Sequence, residues 1–207
     1  MKNFKWGTES FNDKPIYVVL FVSRNKDNAE IPNFVERRRS FITHKSIPDL
    51  NEEFLDFANH GVPGEMSRMY YSVNARDAEK IYKELLHFLI DNPDFNLCSI
   101  GSKLAGIAAT KECAAEHHWM FDFDIPNIEK VREFVNDIYK IDPEVLVEVN
   151  RTPHGFAVVT SRGFDTRSLF KKWTENVTLK RDDLLCVGYN FSNAEDYEDR
   201  FNLFEGE

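Results

Sequence analysis

Two aspartates, Asp122 and Asp124, are the residues whose type and spacing in this sequence most directly indicate chemistry. They end an aromatic-rich segment, residues 117–124, that predicts a strand. Because side chains alternate along a strand, both carboxylates lie on one face with His118 and Met120, opposite the aromatic rings. Two carboxylates so close repel each other unless a cation lies between them, and Mg²⁺ and Mn²⁺ prefer such oxygen ligands. The spacing predicts a metal site that bridges to substrate phosphates; solvated acids at a strand end are the alternative.

Further acids could complete this metal site. If the valines of the β-rich run 145–149 face the core, Glu148 lies on the opposite face. A hairpin with the next run, residues 156–160, could then bring Glu148 near the aspartates. Asp182 and Asp183 precede a last predicted strand and could supply another carboxylate. Two other interpretations stay open: Glu148 as a surface strand residue, and the adjacent aspartates as a charged turn.

Polar side chains near these acids are candidates for contacts with phosphate. The connection between the two β-rich runs, residues 150–155, offers hydroxyl, imidazole and bare backbone groups that can meet phosphate oxygens. Arg76 lies in the first turn of a predicted helix, where the helix dipole makes a positive side chain slightly unfavourable. Its presence there indicates an anionic ligand nearby. We therefore predict phosphate contacts for Arg68, Ser72, Asn74, Arg76, Thr152, His154 and Gly155.

The charge is distributed unevenly along the chain. A formal net charge of -9 is not typical of a nucleic-acid binder. Residues 161–181 nevertheless hold six basic residues and two acids, and here we predict nucleic-acid contacts for Arg162, Arg167, Lys171 and Lys172. A solvated helix face is the alternative. The tail, residues 193–207, mixes six acids with aromatic residues, a composition that can dock into a basic, apolar groove of a protein partner.

Hydrophobic periodicity predicts the elements that must position these residues. Strands are predicted at 16–22, 69–74, 117–124, 145–149, 156–160 and 184–189, and helices at 48–60, between Asn74 and Asn92, at 97–115, 128–139 and 166–173. This order predicts an α+β fold in which an antiparallel or mixed sheet is covered by helices on one face. We divide the chain into an accessory α/β segment (1–65), a core (66–192) and the acidic tail (193–207).

Composition and cysteine usage exclude several classes of protein. Hydrophobic residues make up 42% of the chain and aromatic residues 14%, enough for a core without disulfide or metal. The longest apolar run, 16–22, is far shorter than the roughly 20 residues of a membrane helix. The three cysteines, Cys98, Cys113 and Cys186, are widely spaced and do not form a disulfide framework or a thiolate zinc motif. We expect no membrane contact and a reducing cytoplasm, that of the host if the protein is viral.

The order of motifs resembles that of the archaeo-eukaryotic primase superfamily, particularly small primase-like proteins of phages. Three segments carry the resemblance: the hydrophobic-Asp-hydrophobic-Asp strand at 120–124, the small-Pro-x-Gly-aromatic hairpin at 152–156, and an aspartate ahead of the last strand. It covers about residues 67–190 and implies an RRM-like core.

The resemblance also implies roles for particular residues. Paired acids would hold two divalent metals, Mg²⁺ or Mn²⁺, and the residues that match are Asp122, Asp124 and one of Asp182 and Asp183. A histidine of the second motif would contact nucleotide phosphates, but this sequence has Ala157 at that position. His154 is the imidazole in that loop and is our candidate for a catalytic role beside the aspartates.

The sequence and this resemblance together predict a metal-dependent, primase-like protein that binds nucleotide or nucleic acid, with nucleotidyl transfer as its candidate activity. Ala157 and the acidic tail motivate a second hypothesis, a non-catalytic viral interaction protein on the same fold that acts on a host complex. A third is a metal-dependent phosphoesterase or nuclease, which needs the same acids but uses water as the nucleophile.

Overall fold

Two four-stranded antiparallel sheets and five α-helices make up the part of the chain that the computed structural model describes, residues 14–192. The strands are β1 (Tyr17–Ser23), β2 (Arg37–Thr43), β3 (Met66–Ser72), β4 (Trp119–Phe123), β5 (Val147–Thr152), β6 (Gly155–Thr160), β7 (Val177–Lys180) and β8 (Leu184–Phe191). The helices are α1 (Asn51–Asn59), α2 (Ala78–Asp91), α3 (Ile100–Ala108), α4 (Ile128–Ile141) and α5 (Arg167–Trp173). The α+β class is as predicted.

The first sheet has the strand order β2-β1-β3-β8. On one side, Val18 of β1 packs with Ile81 of α2 and with Ile107 and Ala108 of α3. This sheet unites β1 and β2, from the segment predicted as accessory, with β3 and β8, from the segment predicted as core. The division into domains stays a prediction, and the acidic tail lies outside the described residues.

The second sheet has the order β5-β6-β4-β7 and packs on α4 and α5. Phe121 and Phe123 of β4 are fully buried against these helices, and the rings of Phe123 and Phe134 meet edge to face at 4.7 Å. Met120, whose side chain lies on the opposite face of β4, joins Ala157 in a different cluster with residues of the first sheet and α1. The predicted alternation along β4 is therefore confirmed, and its even-numbered face is turned toward the first sheet.

A tight hairpin joins β5 to β6. Thr152 pairs with Gly155, so that only Pro153 and His154 form the turn, which is shorter than the predicted connection because both strands extend further. A Cβ atom on Gly155 would lie 1.9 Å from the carbonyl oxygen of Phe123. The close approach of two backbones explains the glycine.

Several predicted elements differ from the structure. Two four-stranded sheets replace the single predicted sheet, because β1, β3 and β8 pair separately from β4, β5 and β6; β2 and β7, which were not predicted, add one strand to each. The helix predicted at 97–115 is confined to α3, with 3-10 turns on either side. Asn74 does not cap α2; the side chain of Asp77 accepts hydrogen bonds from the backbone at residues 79 and 80 instead. Among residues 14–192, no helix is long and apolar enough to cross a membrane.

Replacing Gly155→Ala should lower the free energy of unfolding by about 2 kcal/mol, because the new methyl group forces the β4 and β6 backbones apart. The matched control is Gly106→Ala in α3, where a Cβ meets no atom within 4 Å. Helix propensity predicts that this control gains up to about 1 kcal/mol. Urea denaturation of both variants measures the difference; equal stability would contradict the packing argument.

Candidate functional site

A charged cleft of about 170 Å³ lies between the two sheets, beside the β5–β6 turn. Its polar wall combines three cations, two carboxylates, an imidazole and a hydroxyl: Arg24, Lys26, Arg68, Asp122, Asp124, His154 and Thr152. The remaining wall is formed by Tyr70, Met120, Ala157, Leu184, Leu185 and Cys186. The cleft thus unites residues from both sheets that are far apart in sequence.

The segment after β1 is fixed to β3 by a side chain. Asn28 is buried, and its side-chain amide accepts a hydrogen bond from Met66 N at 2.6 Å and donates one to Met66 O at 3.0 Å. The Asn28 amide therefore bonds the backbone of Met66 in the way that a neighbouring strand would. A 3-10 turn, Asn25–Asp27, is thereby held at the mouth of the cleft.

A buried carboxylate orients the arginines of this wall. The Asp27 side chain, 2% exposed, accepts from Arg24 Nε at 2.8 Å and from Arg68 Nη2 at 2.6 Å. Burial alone would raise the pKa of Asp27, but the hydrogen bond from Arg24 and the charge of Arg68 outweigh it and hold that pKa below its ordinary value. Asp27 therefore stays ionised and keeps both guanidinium groups in place.

Arg68 connects this network to the hairpin of the second sheet. Its Nη2 lies 2.8 Å from His154 Nε2. Because a guanidinium only donates, Nε2 is the acceptor in this contact and Nδ1 is the donor nitrogen of the ring. The Arg68 side chain is only 5% exposed, and its Nε–H has no acceptor within residues 14–192.

Asp122 and Asp124 form the acidic side of the cleft. Neither carboxylate makes an ion pair or hydrogen bond with any other residue of the described chain. Desolvation by burial, followed by the charge of Asp124, raises the pKa of Asp122 above its ordinary value; Asp183 acts in the same direction and Lys180 opposes it. A desolvated carboxylate with a like charge beside it and no bonded cation is typical of a functional site.

The other predicted metal ligands do not join this pair. Because β6 lies between β5 and β4, Glu148 is separated from Asp122 by a strand, and it lines a different groove. Asp182 accepts from Arg76 Nη1 at 2.7 Å, while Asp183 lies 3.4 Å from Lys180 Nζ. Residues 14–192 contain no group of three or more His, Cys, Asp or Glu that could hold a metal ion.

Two carboxylates nevertheless fit one kind of metal site. Mg²⁺ keeps several waters and is commonly held by one or two carboxylates together with substrate phosphates, not by a cage of protein ligands. Asp122 and Asp124 supply that donor set, and the cations opposite them suit the phosphates.

Three of the predicted phosphate-binding residues have structural roles. Ser72 Oγ accepts from Val18 N at 3.1 Å and donates to Asn74 O at 2.9 Å. The Asn74 side chain donates to His118 O and Asp182 and accepts from His118 N. Arg76, whose side chain is 1% exposed, completes a buried ion pair with Asp182. These residues tie the end of β3 and the segment after it to β1, to His118 before β4 and to Asp182 before β8, and they do not line the cleft.

The predicted nucleic-acid contacts also lie outside the cleft. Arg162 pairs with Asp142, Arg167 pairs with Asp165, and Lys172 pairs with two acids of α4. Lys171 is exposed. Acids of the fold thus compensate most of the positive charge of these residues. This arrangement is the one expected from the alternative interpretation, a solvated helix face.

Of the hairpin residues, Thr152 and His154 line the cleft, as does Ala157. Sequence reasoning missed Arg24, Lys26 and Asp27. The sequence signal for these residues is a cation and an acid three residues apart, directly after a buried strand. Functional groups commonly lie at the ends of strands. Comparison with protein-family models, with curated proteins and with solved structures found no match to this chain.

In metal-free buffer, Asp122→Asn should raise the free energy of unfolding at pH 7. The native pKa of Asp122 is raised, so the native state holds this proton more tightly than the unfolded state and loses stability as pH rises between the two values. The gain should vanish near pH 3.5, below the ordinary pKa of about 4.

Urea denaturation at both pH values tests this sign. Asp137→Asn is the control of opposite sign, because Lys140 and Lys172 hold the pKa of Asp137 below its ordinary value. That control should be less stable than the wild type at pH 7. An Asp122→Asn variant that loses stability at pH 7 would contradict the desolvation argument.

Asp182→Asn should cost about 3 kcal/mol of unfolding free energy, because it leaves the Arg76 guanidinium buried without its carboxylate. Asp183→Asn, at a side chain 43% exposed, should cost less than about 1 kcal/mol. Denaturation of the two neighbouring variants separates the roles; equal costs would mean that the Asp182 ion pair does not support the fold.

Proposed function

We propose that the cleft binds the phosphate groups of a nucleotide or nucleic acid together with a divalent cation, as a primase-like protein would. The observation that carries this proposal is the arrangement of charge. Asp122 and Asp124, without bonded cations, share a cleft of about 170 Å³ with Arg24, Lys26 and Arg68. Carboxylates suited to Mg²⁺ or Mn²⁺ and guanidinium groups suited to phosphate are both needed for a metal–phosphate ligand.

The cationic side supplies directional hydrogen bonds. Arginine presents planar donors that match phosphate oxygens, and Asp27 holds two arginines in position before any ligand binds. His154, whose Nε2 is engaged by Arg68, keeps its Nδ1–H available to donate. Preformed donors of this kind lower the entropy that binding must overcome.

On the acidic side, Mg²⁺ or Mn²⁺ would be held by Asp122 and Asp124 and, when bound, would neutralise charge on the phosphoryl oxygens. Nucleotidyl transfer would then require the protein to orient a hydroxyl and a triphosphate in this cleft. His154 is the residue placed to donate a hydrogen bond to the phosphates.

Ala157 favours a second candidate, binding without catalysis. The resemblance to primases calls for a histidine at this position, but here the alanine is 1% exposed and packs in the apolar cluster with Met120 and Leu185. His154 lies on the turn and not on the strand. A protein that holds nucleotide or nucleic acid without turnover is compatible with this substitution.

Calorimetry of the full chain with Mn²⁺ and with inorganic tripolyphosphate tests the proposal. The double variant Asp122→Asn/Asp124→Asn should weaken Mn²⁺ binding at least tenfold, since both anionic ligands are removed. Lys26→Met should spare Mn²⁺ binding and weaken tripolyphosphate binding several-fold. Glu148→Gln, a carboxylate on the same sheet outside the cleft, is the matched control and should leave both affinities unchanged.

Unchanged Mn²⁺ affinity in the double variant would contradict the proposed metal site. Incubation of the wild type with Mn²⁺, labelled oligonucleotides and nucleoside triphosphates then separates the candidates. Extension indicates nucleotidyl transfer, shortening indicates a phosphoesterase, and intact binding with neither supports the non-catalytic candidate.

A further inference from the structure

A second and larger concavity, about 610 Å³, lies on the same side of the second sheet as the cleft. Its walls include Tyr17, Tyr71, Glu148, Val159, Leu185 and Val187, and we refer to it as the tyrosine groove. Leu185 lines both the tyrosine groove and the cleft. One side chain therefore forms a wall common to the two cavities.

Strand register gives the spacing between the cavities. Asp122 lies opposite Ala157 in the cleft, and Val159, two residues further along β6, lies opposite Glu148 in the tyrosine groove. Residues two apart share a face and are separated by about 7 Å along a strand. The two cavities are therefore about one strand repeat apart on this face, a separation shorter than a nucleotide.

Charge distinguishes what each cavity can hold. The cations of the tyrosine groove include Lys45, which already pairs with Glu53 outside it. Its acids are Glu116, which accepts from Ala75 N, and Glu148, which bonds no other residue in the described chain. The groove lacks the unopposed positive charge that phosphates require, whereas the cleft supplies it.

The tyrosine groove offers aromatic and apolar surface instead. The rings of Tyr17 and Tyr71 lie 4.7 Å apart at 31°, and Tyr71 donates its hydroxyl to Lys45 O at 3.0 Å. Burial, together with the charge of Glu116 at Tyr17, raises the pKa of both phenols, so they stay uncharged. Uncharged rings beside valines and leucine form a surface on which a planar heterocycle can stack.

We propose that the tyrosine groove binds the base of the nucleotide whose phosphates lie in the cleft, and that it prefers a base with an exocyclic amino group. This inference rests on the proposed function. The stacking surface accounts for the base, and the Glu148 carboxylate, an acceptor without a donor, accounts for the preference. Uracil presents a carbonyl oxygen where cytosine presents an amino group. The Glu148 carboxylate would repel this oxygen, because both groups are hydrogen-bond acceptors.

Calorimetry of the full chain in saturating Mn²⁺ compares tripolyphosphate, CTP and UTP. We expect CTP to bind about tenfold more tightly than either of the other two, because stacking and the amino group each add affinity. Tyr17→Leu should remove most of the advantage of CTP over tripolyphosphate, whereas Tyr17→Phe, which keeps the ring, should retain it. Glu148→Gln should equalise CTP and UTP.

None of these variants should change tripolyphosphate affinity, and thermal denaturation verifies that each is folded. Equal affinities of wild-type protein for tripolyphosphate, CTP and UTP would overturn the base groove and leave the phosphate cleft standing. A folded Tyr17→Leu variant that weakens tripolyphosphate as much as CTP would also overturn it. If none of the three ligands binds, the proposed function itself fails, and the groove assignment falls with it.

Discussion

The cleft depends on one buried carboxylate, that of Asp27. It bonds two arginines from different parts of the chain, and one of these, Arg68, reaches the imidazole of His154 on the other sheet. A charge removed from water is stable only when partners compensate it, so the network holds together or fails as a unit. The relative position of the two sheets at this end of the molecule is thereby fixed by polar contacts as well as by the shared apolar cluster.

The acidic wall of the cleft differs, because no bonded partner in the described part of the chain compensates its charges. Asp122 is desolvated beside Asp124, and the cations of the cleft do not bond either of them. For stability alone this arrangement is unfavourable, because the charge of Asp124 disfavours ionisation of Asp122. The pair lies at the end of β4, and Phe121 and Phe123, packed behind it, hold that strand in place.

Local patterns were sufficient to predict the part of the site that lies on one strand. The alternation of β4 placed both aspartates on one face, and the hairpin residues next to them included His154 and Thr152, which the structure brings to the cleft. The turn of residues 24–27 was not predicted as part of the site, because its contact with His154 joins residues far apart in sequence and depends on how two sheets pack. Ser72, Asn74 and Arg76, predicted to contact phosphate, bond other parts of the fold instead of lining the cleft. A polar side chain near a strand end can serve a ligand or a neighbouring loop, and sequence alone does not separate the two. Strand β2 was missed because it is rich in basic and polar residues, so its hydrophobic periodicity is weak, and β7 was missed because it alternates over only four residues.

The two-residue turn that carries His154 has a consequence for recognition. A side chain on a long loop would have to be immobilised when a ligand arrives, which weakens the complex by the entropy that is lost. Here the strands on both sides are paired up to Thr152 and Gly155, and the ring is tethered to an arginine across the cleft. This imidazole is therefore positioned in the folded chain before any ligand of the proposed site arrives.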